Sequence, residues 1–324
     1  MRGHLIRLAL LLPVLLLASC REPMSVPALD SRLEAWDADA AAPRGVRIHA
    51  FRTGAMRSVE AVAWEGGSWT TPVSMPAWAY VIEHPDLGMV VFDAGLPEAA
   101  HANPEKYVGW LGARLHILDV PEGAGLATQM KAAGLDPAKV STVVLSHLHF
   151  DHTGAVRDFP GANVFVGAGE KQWLAGGVRR TDFVDVEAVA GIAKWKAVDF
   201  SEDRPLATFP AAHDLAGDGS LWLVDLAGHT PGSVGLLVRT SSGPVLLAGD
   251  AAWTTRSWRW PARPIAAKDM QHWWEQAWRI KRFAMLEPRL MVVPGHDDEA
   301  VAAAAGPSFV VHALPAARTT AAPR

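Results

Sequence analysis

Cysteine is almost absent from this sequence of 324 residues, because Cys20 is the only one. A single cysteine excludes a structural disulfide within the chain and leaves a metal site in the rest of the protein without thiolate ligands. Tyrosine is nearly as rare, since Tyr80 and Tyr107 are the only two. Metal binding must therefore rely on other side chains, and only these two tyrosines could supply a phenol to a reaction.

The sequence also lacks a run of basic residues. Thirty Lys and Arg stand against 34 Asp and Glu, which gives a net charge of −4, and both signs are spread along the chain. Nucleic-acid binding requires a basic patch or stripe. The composition therefore speaks against a nuclease and against a nucleic-acid partner.

The apolar run at the amino terminus is too short for a membrane-spanning helix. Leu8–Ala18 has 11 residues, whereas a span needs about 20. Basic residues precede this run, and Leu17-Ala-Ser-Cys20 follows it, which looks like a bacterial lipoprotein signal with its lipobox. We expect cleavage before Cys20, lipidation of that cysteine, and anchoring on the periplasmic or outer-membrane face of the cell envelope. An uncleaved or cytoplasmic hydrophobic end is the alternative.

These features predict four parts: a signal peptide at 1–19, a lipidated cysteine and tether at 20–45, one domain at 46–312 and a flexible tail at 313–324. Half of the residues are hydrophobic, which is enough for a full α/β core. Apolar runs and turn residues predict further elements: strands at 46–51, 79–83, 89–93, 141–146, 162–166, 234–239 and 245–247, and helices at 126–134 and around Met270–Trp278, the latter packed on a sheet.

The most informative segment is His147-Leu-His-Phe-Asp-His152. It places three imidazoles and one carboxylate within six positions, directly after the apolar strand predicted at 141–146. Clustered metal ligands are costly to desolvate unless a cation lies between them. The segment therefore predicts a metal site at a strand end, and a hydrogen-bonded polar cluster without metal is the alternative.

Three more candidate ligands follow apolar runs further along the chain. His229 comes after Leu221–Leu226, Asp250 ends Val245-Leu-Leu-Ala-Gly-Asp, and His296 follows Leu290-Met-Val-Val-Pro-Gly. Each has the form strand, glycine, ligand. The other histidines, His213 among them, stand apart from this pattern and are not expected to bind metal.

These motifs resemble the metallo-β-lactamase superfamily, in which His-x-His-x-Asp-His is followed by separate His, Asp and His ligands. Within it, the segments around 76–98, 146–154 and 218–232 are most similar to the N-acyl homoserine lactonases. The resemblance implies an α/β fold, an αβ/βα sandwich of two mixed β-sheets flanked by helices. His149 argues against the oxygen-reducing diiron relatives, which carry glutamate there.

The resemblance also implies the ligand set of a dinuclear zinc centre, although Fe, Mn or Co also suit such ligands. His147, His149 and His229 would bind one metal, and Asp151, His152 and His296 the other. Asp250 would bridge them, so that Asp250 and Asp151 take part directly in catalysis. A hydroxide held between the metals would be the nucleophile. Asp93 would hold a ligand histidine in place, or alternatively cap its own turn.

One position departs from the lactonase pattern. These enzymes commonly carry a tyrosine three residues after the bridging aspartate, and this chain has Trp253 there. Tyr107, in a segment predicted to cover the site, is a candidate replacement. Trp253, Trp258 and Trp260 are expected to line an apolar channel for an acyl or aryl group.

The resemblance implies a hydrolase that opens lactones, most plausibly N-acyl homoserine lactones, and so quenches quorum signals. A thioester, ester or β-lactam hydrolase on the same metal site remains an alternative, although β-lactamases of this type generally lack the bridging aspartate. A metal-containing lipoprotein that binds a ligand with little turnover is another. The predicted partners are a small ester or lactone and, through Cys20, the membrane.

Overall fold

Two mixed β-sheets form the centre of the computed structural model, which describes residues 23–28, 32–40, 43, 45–100, 102–115 and 117–314. The strands of these residues are β1 (Arg47–Val59), β2 (Pro72–His84), β3 (Gly88–Ala94), β4 (Ile117–Asp119), β5 (Val140–Val144), β6 (Asn163–Gly167), β7 (Trp195–Val198), β8 (Arg204–Leu206), β9 (Phe209–Asp214), β10 (Leu221–Asp225), β11 (Val234–Thr240), β12 (Gly243–Leu247), β13 (Met291–Val293) and β14 (Phe309–His312). Five of the seven predicted strands lie within two residues of these bounds, whereas β1 and β2 are much longer than the predicted strands at 46–51 and 79–83.

The α-helices of the described residues are mostly short. They are α1 (Glu60–Ala63), α2 (Pro104–Leu115), α3 (Leu126–Ala132), α4 (Phe150–Thr153), α5 (Ala168–Ala175), α6 (Val186–Ala190), α7 (Thr255–Arg259), α8 (Met270–Leu286) and α9 (Asp298–Ala304). The helix predicted at 126–134 is confirmed as α3. It ends at a turn in which Gly134 has φ +79°, a conformation that glycine adopts without steric cost.

The first sheet has the strand order β14-β1-β2-β3-β5-β6-β7, with β4 paired to β1. Its β1–β2–β3 part is antiparallel, and β3, β5, β6 and β7 are parallel. The second sheet has the order β13-β12-β11-β10-β9-β8. Only its β12–β13 pair is parallel. Both sheets are therefore mixed, as the sequence predicts.

Alternating residues of each strand face two different cores. In β2, Tyr80 and Ile82 pack between the sheets, whereas Val81 packs against the helix layer that contains α3. In β11, Leu236 packs between the sheets and Leu237 packs against α8. Because side chains alternate across a strand, each sheet buries one face on the other sheet and one on helices. This arrangement confirms the αβ/βα sandwich.

The described part of the predicted tether lies against this domain. The Trp36 ring is 5.2 Å from that of Phe283 on α8, and its indole N–H donates to Glu287 at 3.0 Å. The Arg239 guanidinium lies 3.8 Å from the Trp36 ring centroid. The composition of this segment is typical of a linker and did not predict its aromatic contact with the domain. The domain boundary at residue 45 stays a prediction.

The predicted signal peptide, Cys20 and all but two residues of the predicted tail lie outside the described residues. Among those that are described, no helix has the length and apolar character needed to cross a membrane.

Candidate metal centre

All seven predicted ligands come together where strands of the two sheets end. His147, His149, Asp151 and His152 follow β5 and enter the one-turn helix α4, while the three other ligands follow strands β10, β12 and β13 of the second sheet. Side chains from four strand ends thereby face one another across the edge of the sandwich.

The donor atoms form two groups. The first group is His147, His149, His229 and Asp250, and the second is Asp151, His152 and His296; within each group, the donor atoms lie within 4.8 Å of one another. These residues are buried, apart from a half-buried His149. The pairing of ligands matches the one implied by the family resemblance.

The Asp250 carboxylate lies between the groups. Its Oδ2 is 3.3 Å from Nε2 of His229 and 3.9 Å from Nε2 of His147. Its Oδ1 is 3.2 Å from Nε2 of His152 and 3.1 Å from Nε2 of His296. Oδ2 is also 3.3 Å from Nε2 of His296, so the carboxylate lies close to donors of both groups, as a bridging ligand requires.

Hydrogen bonds behind the site fix the tautomers of the ligand histidines. Ser146 donates its only hydroxyl proton to Asp93 at 2.8 Å, so the serine oxygen must accept from Nδ1–H of His147 at 3.0 Å. Nδ1–H of His152 donates to Asp93 at 2.7 Å, and Nδ1–H of His296 donates to the carbonyl of Pro76 at 2.9 Å. In the neutral form, each ring then presents an unprotonated Nε2 to the site, as metal binding needs.

Asp93 is thus a positioning residue in this structure. Its two oxygens accept from the Ser146 backbone N–H at 2.6 Å, from the Ser146 hydroxyl and from His152. Its backbone has φ +57°, which aspartate tolerates better than most residues. These contacts favour support of a ligand histidine over a capped turn.

The donor set fits metal ions better than a hydrogen-bonded network. Nδ1 of His149 lies 2.9 Å from Nε2 of His147 and 3.1 Å from Nε2 of His229, and a single N–H on this nitrogen could serve only one of these two neighbours. Nε2 of His152 and Oδ1 of Asp250 are buried and lie 3.2 Å apart, but neither atom makes a well-aligned hydrogen bond. Such atoms are costly to bury unless a cation binds them. Two sets of imidazole and carboxylate donors suit zinc and related divalent metals.

Electrostatics differ between the two groups. Burial lowers the pKa of His149 to about 4 and that of His229 to about 3. For His152, burial also acts to lower the pKa, but the carboxylates of Asp93 and Asp250 outweigh it and raise the pKa. The Asp250 pKa lies well below its usual range because nearby histidines outweigh the effect of burial. The bridging carboxylate is therefore ionised at neutral pH.

Glycines before the ligands are required by close packing. A Cβ on Gly295 would overlap Oδ1 of Asp250, and one on Gly228 would overlap the backbone of Trp273. The first glycine lets His296 reach the bridging carboxylate, and the second lets the His229 loop pack on α8. The strand, glycine, ligand pattern thus has a steric cause.

Glu170 is a buried site residue that the sequence did not reveal. Its carboxylate accepts from the backbone N–H of Leu148 and from that of Gly232, each at 2.9 Å. It therefore joins the loop of His147 and His149 to the loop of His229. A lone glutamate at the start of α5 carries no spacing signal, although burial of its carboxyl raises its pKa.

A cavity of about 340 Å³ opens onto both donor groups. Its walls are mostly apolar and include Met56, Val62, Met75, Val108, Phe150 and Ile265. Lys268 also lines the cavity and pairs with Asp182 at 2.6 Å. This ion pair joins two loops at the cavity and was not predicted, because neither residue belongs to a motif.

Trp253 lines this cavity, as predicted. Its ring centroid is 5.7 Å from that of His229 and 6.2 Å from that of His296. The indole N–H is buried and has no hydrogen-bond partner.

Three other predicted pocket residues lie elsewhere. Trp258 is buried in the core between the second sheet and α8, and Trp260 is 63% exposed in a separate depression. Tyr107 packs against Phe150, with 5.4 Å between ring centroids, but its neighbour Val108 is the residue that lines the cavity. The predictions for Trp258, Trp260 and Tyr107 are therefore wrong. Trp258 and Trp260 are close to Asp250 in sequence, but this closeness did not determine which way their side chains point.

The sequence pattern of the metallo-beta-lactamase superfamily matches residues 74–296, which include every ligand described above. The chain belongs to the metallo-β-lactamase superfamily, and it is a metal-dependent hydrolase with His and Asp metal-binding clusters.

Several relatives within this superfamily are similar over much of the chain. N-acyl homoserine lactonase AttM from Rhizobium radiobacter is 31% identical over 268 residues, which cover 79% of this chain and 94% of the relative. Gamma-lactamase FDB1 from Fusarium pseudograminearum is also 31% identical, over 54% of this chain and 45% of the relative. A structure of Bacillus thuringiensis AiiA with N-decanoyl-L-homoserine at its active site has a TM-score of 0.67, with 21% identity and coverage of 80% and 96%.

Proposed function

We propose that this protein opens the ester ring of N-acyl homoserine lactones with two zinc ions bound in the paired donor groups. The observation that carries this proposal is the Asp250 carboxylate, which lies close to donors of both groups beside an apolar cavity. Metals bound there would make water a nucleophile at neutral pH and would polarise an ester carbonyl. The lactonase relatives support a lactone as the substrate.

The protein's own residues have three tasks in this reaction. Asp93, Ser146 and the Pro76 carbonyl hold the ligand imidazoles in the required tautomers. Asp151, which lies 3.8 Å from both His152 and His296, adds negative charge to the second group and lines the cavity. The apolar wall excludes water and suits the acyl chain of the substrate, since ligand sites are usually apolar with a few placed polar groups.

Trp253 is proposed to donate a hydrogen bond to the reacting ester. Its indole ring lines the cavity beside the ligands His229 and His296, and its buried N–H has no hydrogen-bond partner. An indole can donate such a bond but cannot transfer a proton as a phenol can. The leaving alkoxide would then depend on the metal site for its stabilisation.

The proposal is tested by following ring opening of short- and long-chain N-acyl homoserine lactones by chromatography, with the full chain loaded with zinc. Asp250→Asn is the inactive control. Loss of a residue that only supports a ligand costs about 10- to 100-fold, so loss of a carboxylate facing both groups should cost more. If the zinc-loaded chain opens no lactone, the proposed substrate is wrong.

Trp253→Phe tests the hydrogen bond, because it removes the N–H and keeps an aromatic ring. We expect kcat to fall by about 10²-fold, the usual cost of losing a donor to a developing oxyanion, with zinc content unchanged. Trp260→Phe, outside the cavity, is the matched control and should keep full activity. Normal turnover in Trp253→Phe would show that the indole N–H has no such role.

An ester, thioester or lactam hydrolase is the second candidate, and the tryptophan at position 253 favours keeping it. The metal ligands define the water nucleophile and leave the target open. Hydrolysis of simple esters, thioesters or γ-lactams without lactone opening would support it. Ligand binding with no turnover of any of these would favour a binding lipoprotein instead.

A further inference from the structure

One face of α8 is polar and aromatic, while the opposite face is core. Trp273, Ala277, Ile280 and Phe283 are buried against the second sheet. The outward positions share one side of the helix by their spacing of three, four and seven. We call them the α8 outer face: Gln271, Trp274, Glu275, Trp278, Lys281, Arg282 and Met285. The sequence predicts a helix that mostly packs on the sheet, so Trp274 and Trp278 are exceptions.

The side chains of the α8 outer face form a continuous surface. The Trp274 and Trp278 ring centroids are 6.0 Å apart, and the Lys281 ammonium lies 4.8 Å from the Trp278 ring centroid. Met285 is 61% exposed. Tryptophan beside lysine and arginine on one side of an amphipathic helix is typical of helices that lie in a membrane interface.

The charge of this region is opposite to that of the chain. Residues 254–286 hold seven Lys or Arg against two Asp or Glu, whereas the whole chain has a net charge of −4. Two of these cations, Arg263 and Lys268, pair with Glu65 and Asp182. The α8 outer face itself carries two of the seven cations, Lys281 and Arg282, and one acidic residue, Glu275. A positive surface on an otherwise acidic protein is complementary to an anionic one.

The beginning of the described chain meets the same face. The indole N–H of Trp274 donates to the backbone carbonyl of Ser25 at 2.8 Å. Cys20, the predicted lipidation site, precedes Ser25 by five residues, which span at most about 18 Å when fully extended. A lipid on Cys20 would therefore be attached within reach of the α8 outer face.

We infer that the α8 outer face docks on the anionic surface of a phospholipid bilayer. The excess of basic residues, the two neighbouring tryptophans and the position of Ser25 each support this partner. The helix begins next to the metal centre, because Asp269, its N-cap residue, donates its backbone N–H to the Gly228 carbonyl. Docking would thus fix the orientation of the metal centre relative to the membrane.

Lysine labelling of the full, zinc-loaded chain tests this inference. The chain is mixed with vesicles of phosphatidylcholine alone or with added phosphatidylglycerol, acetylated briefly, and analysed by mass spectrometry. We expect phosphatidylglycerol to slow the acetylation of Lys281 increasingly as more of the chain binds, because docking would cover this side chain. Lys131 and Lys139, on the helix side of the other sheet, are the internal controls and should keep their reactivity.

A charge variant separates docking by α8 from attachment through the amino-terminal apolar run. The pair Lys281→Gln and Arg282→Gln should weaken partition onto phosphatidylglycerol vesicles by about five-fold for each removed cation. The matched pair Lys131→Gln and Lys139→Gln should leave partition unchanged, and circular dichroism checks that both variants fold. If the chain binds vesicles with Lys281 as reactive as in solution, or does not bind them, the inference is wrong.

Discussion

The two donor groups of the metal centre differ in the charge of their histidines. Burial keeps His149 and His229 of the first group neutral, and those rings need no proton removed before they bind metal. In the second group, the pKa values of His152 and His296 are raised by nearby carboxylates that outweigh burial. Metal must displace protons there. Burial therefore determines the protonation of His149 and His229 in the first group. The carboxylates Asp93, Asp151 and Asp250 determine the protonation of the histidines in the second.

Asp93→Asn should produce the largest difference in metal affinity between the two groups. The change removes the charge that contacts His152 directly, whereas Asp93 reaches the first group only through the Ser146 hydroxyl beside His147. We expect the second metal to bind about 10- to 100-fold more weakly, measured by competition with a chelator, and the first to bind nearly as before. Asp86→Asn, in the exposed turn between β2 and β3, is the control. Equal weakening of both metals would contradict the comparison.

Glu170→Gln should disturb the first group instead. The glutamine side chain can accept from only one of the two backbone N–H groups, since its other end is itself a donor. An unmade buried hydrogen bond costs about 1–3 kcal/mol, so we expect urea unfolding to show a loss of that size. The first metal should also bind more weakly. Glu122→Gln, which is exposed, should have no effect, and an unchanged first site in Glu170→Gln would argue against this role.

The pH dependence of the metal-free protein sharpens the same contrast. An unfolded histidine binds a proton below about pH 6.5, whereas His149 and His229 in the fold bind one only below about 4 and 3. Between those values the unfolded state holds more protons, and the fold loses stability as pH falls, by about 1.4 kcal/mol per pH unit for each proton. The raised pKa of His152 has the opposite effect, because the fold then loses stability as pH rises above 6.5.

Urea unfolding between pH 6.5 and pH 4 measures this slope. The double change His149→Gln and His229→Gln should flatten it, because the unfolded chain then loses two proton-binding sites. The pair His213→Gln and His272→Gln, which lies outside the metal centre, should leave it unchanged. An equal slope in the metal-centre variant would show that burial of these two rings does not control acid stability.

The metal ligands were predictable because their signal is local. Four of them lie within six residues, and the other three share a strand, glycine and ligand order that places them at one sheet edge. Asp93 was also found, because the resemblance to the family pointed to an aspartate at the end of the first hairpin. The sandwich fold likewise came from that resemblance, and the two mixed sheets confirm it.

The cavity wall was much less predictable. Whether a tryptophan near Asp250 faces the cavity, the core or solvent depends on the path of the loop and on α7, and these separate Trp253 from Trp258 and Trp260. Glu170 and the Lys268–Asp182 pair act through contacts distant in sequence. Single polar residues of this kind become visible only when the loops that they join are placed in space.

Metal titration tests the central claim most directly. Metal-free full chain is titrated with zinc while ring opening of an N-acyl homoserine lactone and bound zinc are measured in the same samples. Because the Asp250 carboxylate faces both donor groups, we expect activity to rise until two zinc ions are bound and then to remain constant. Full activity with one bound zinc, or none with two, would contradict a lactonase that works through both groups.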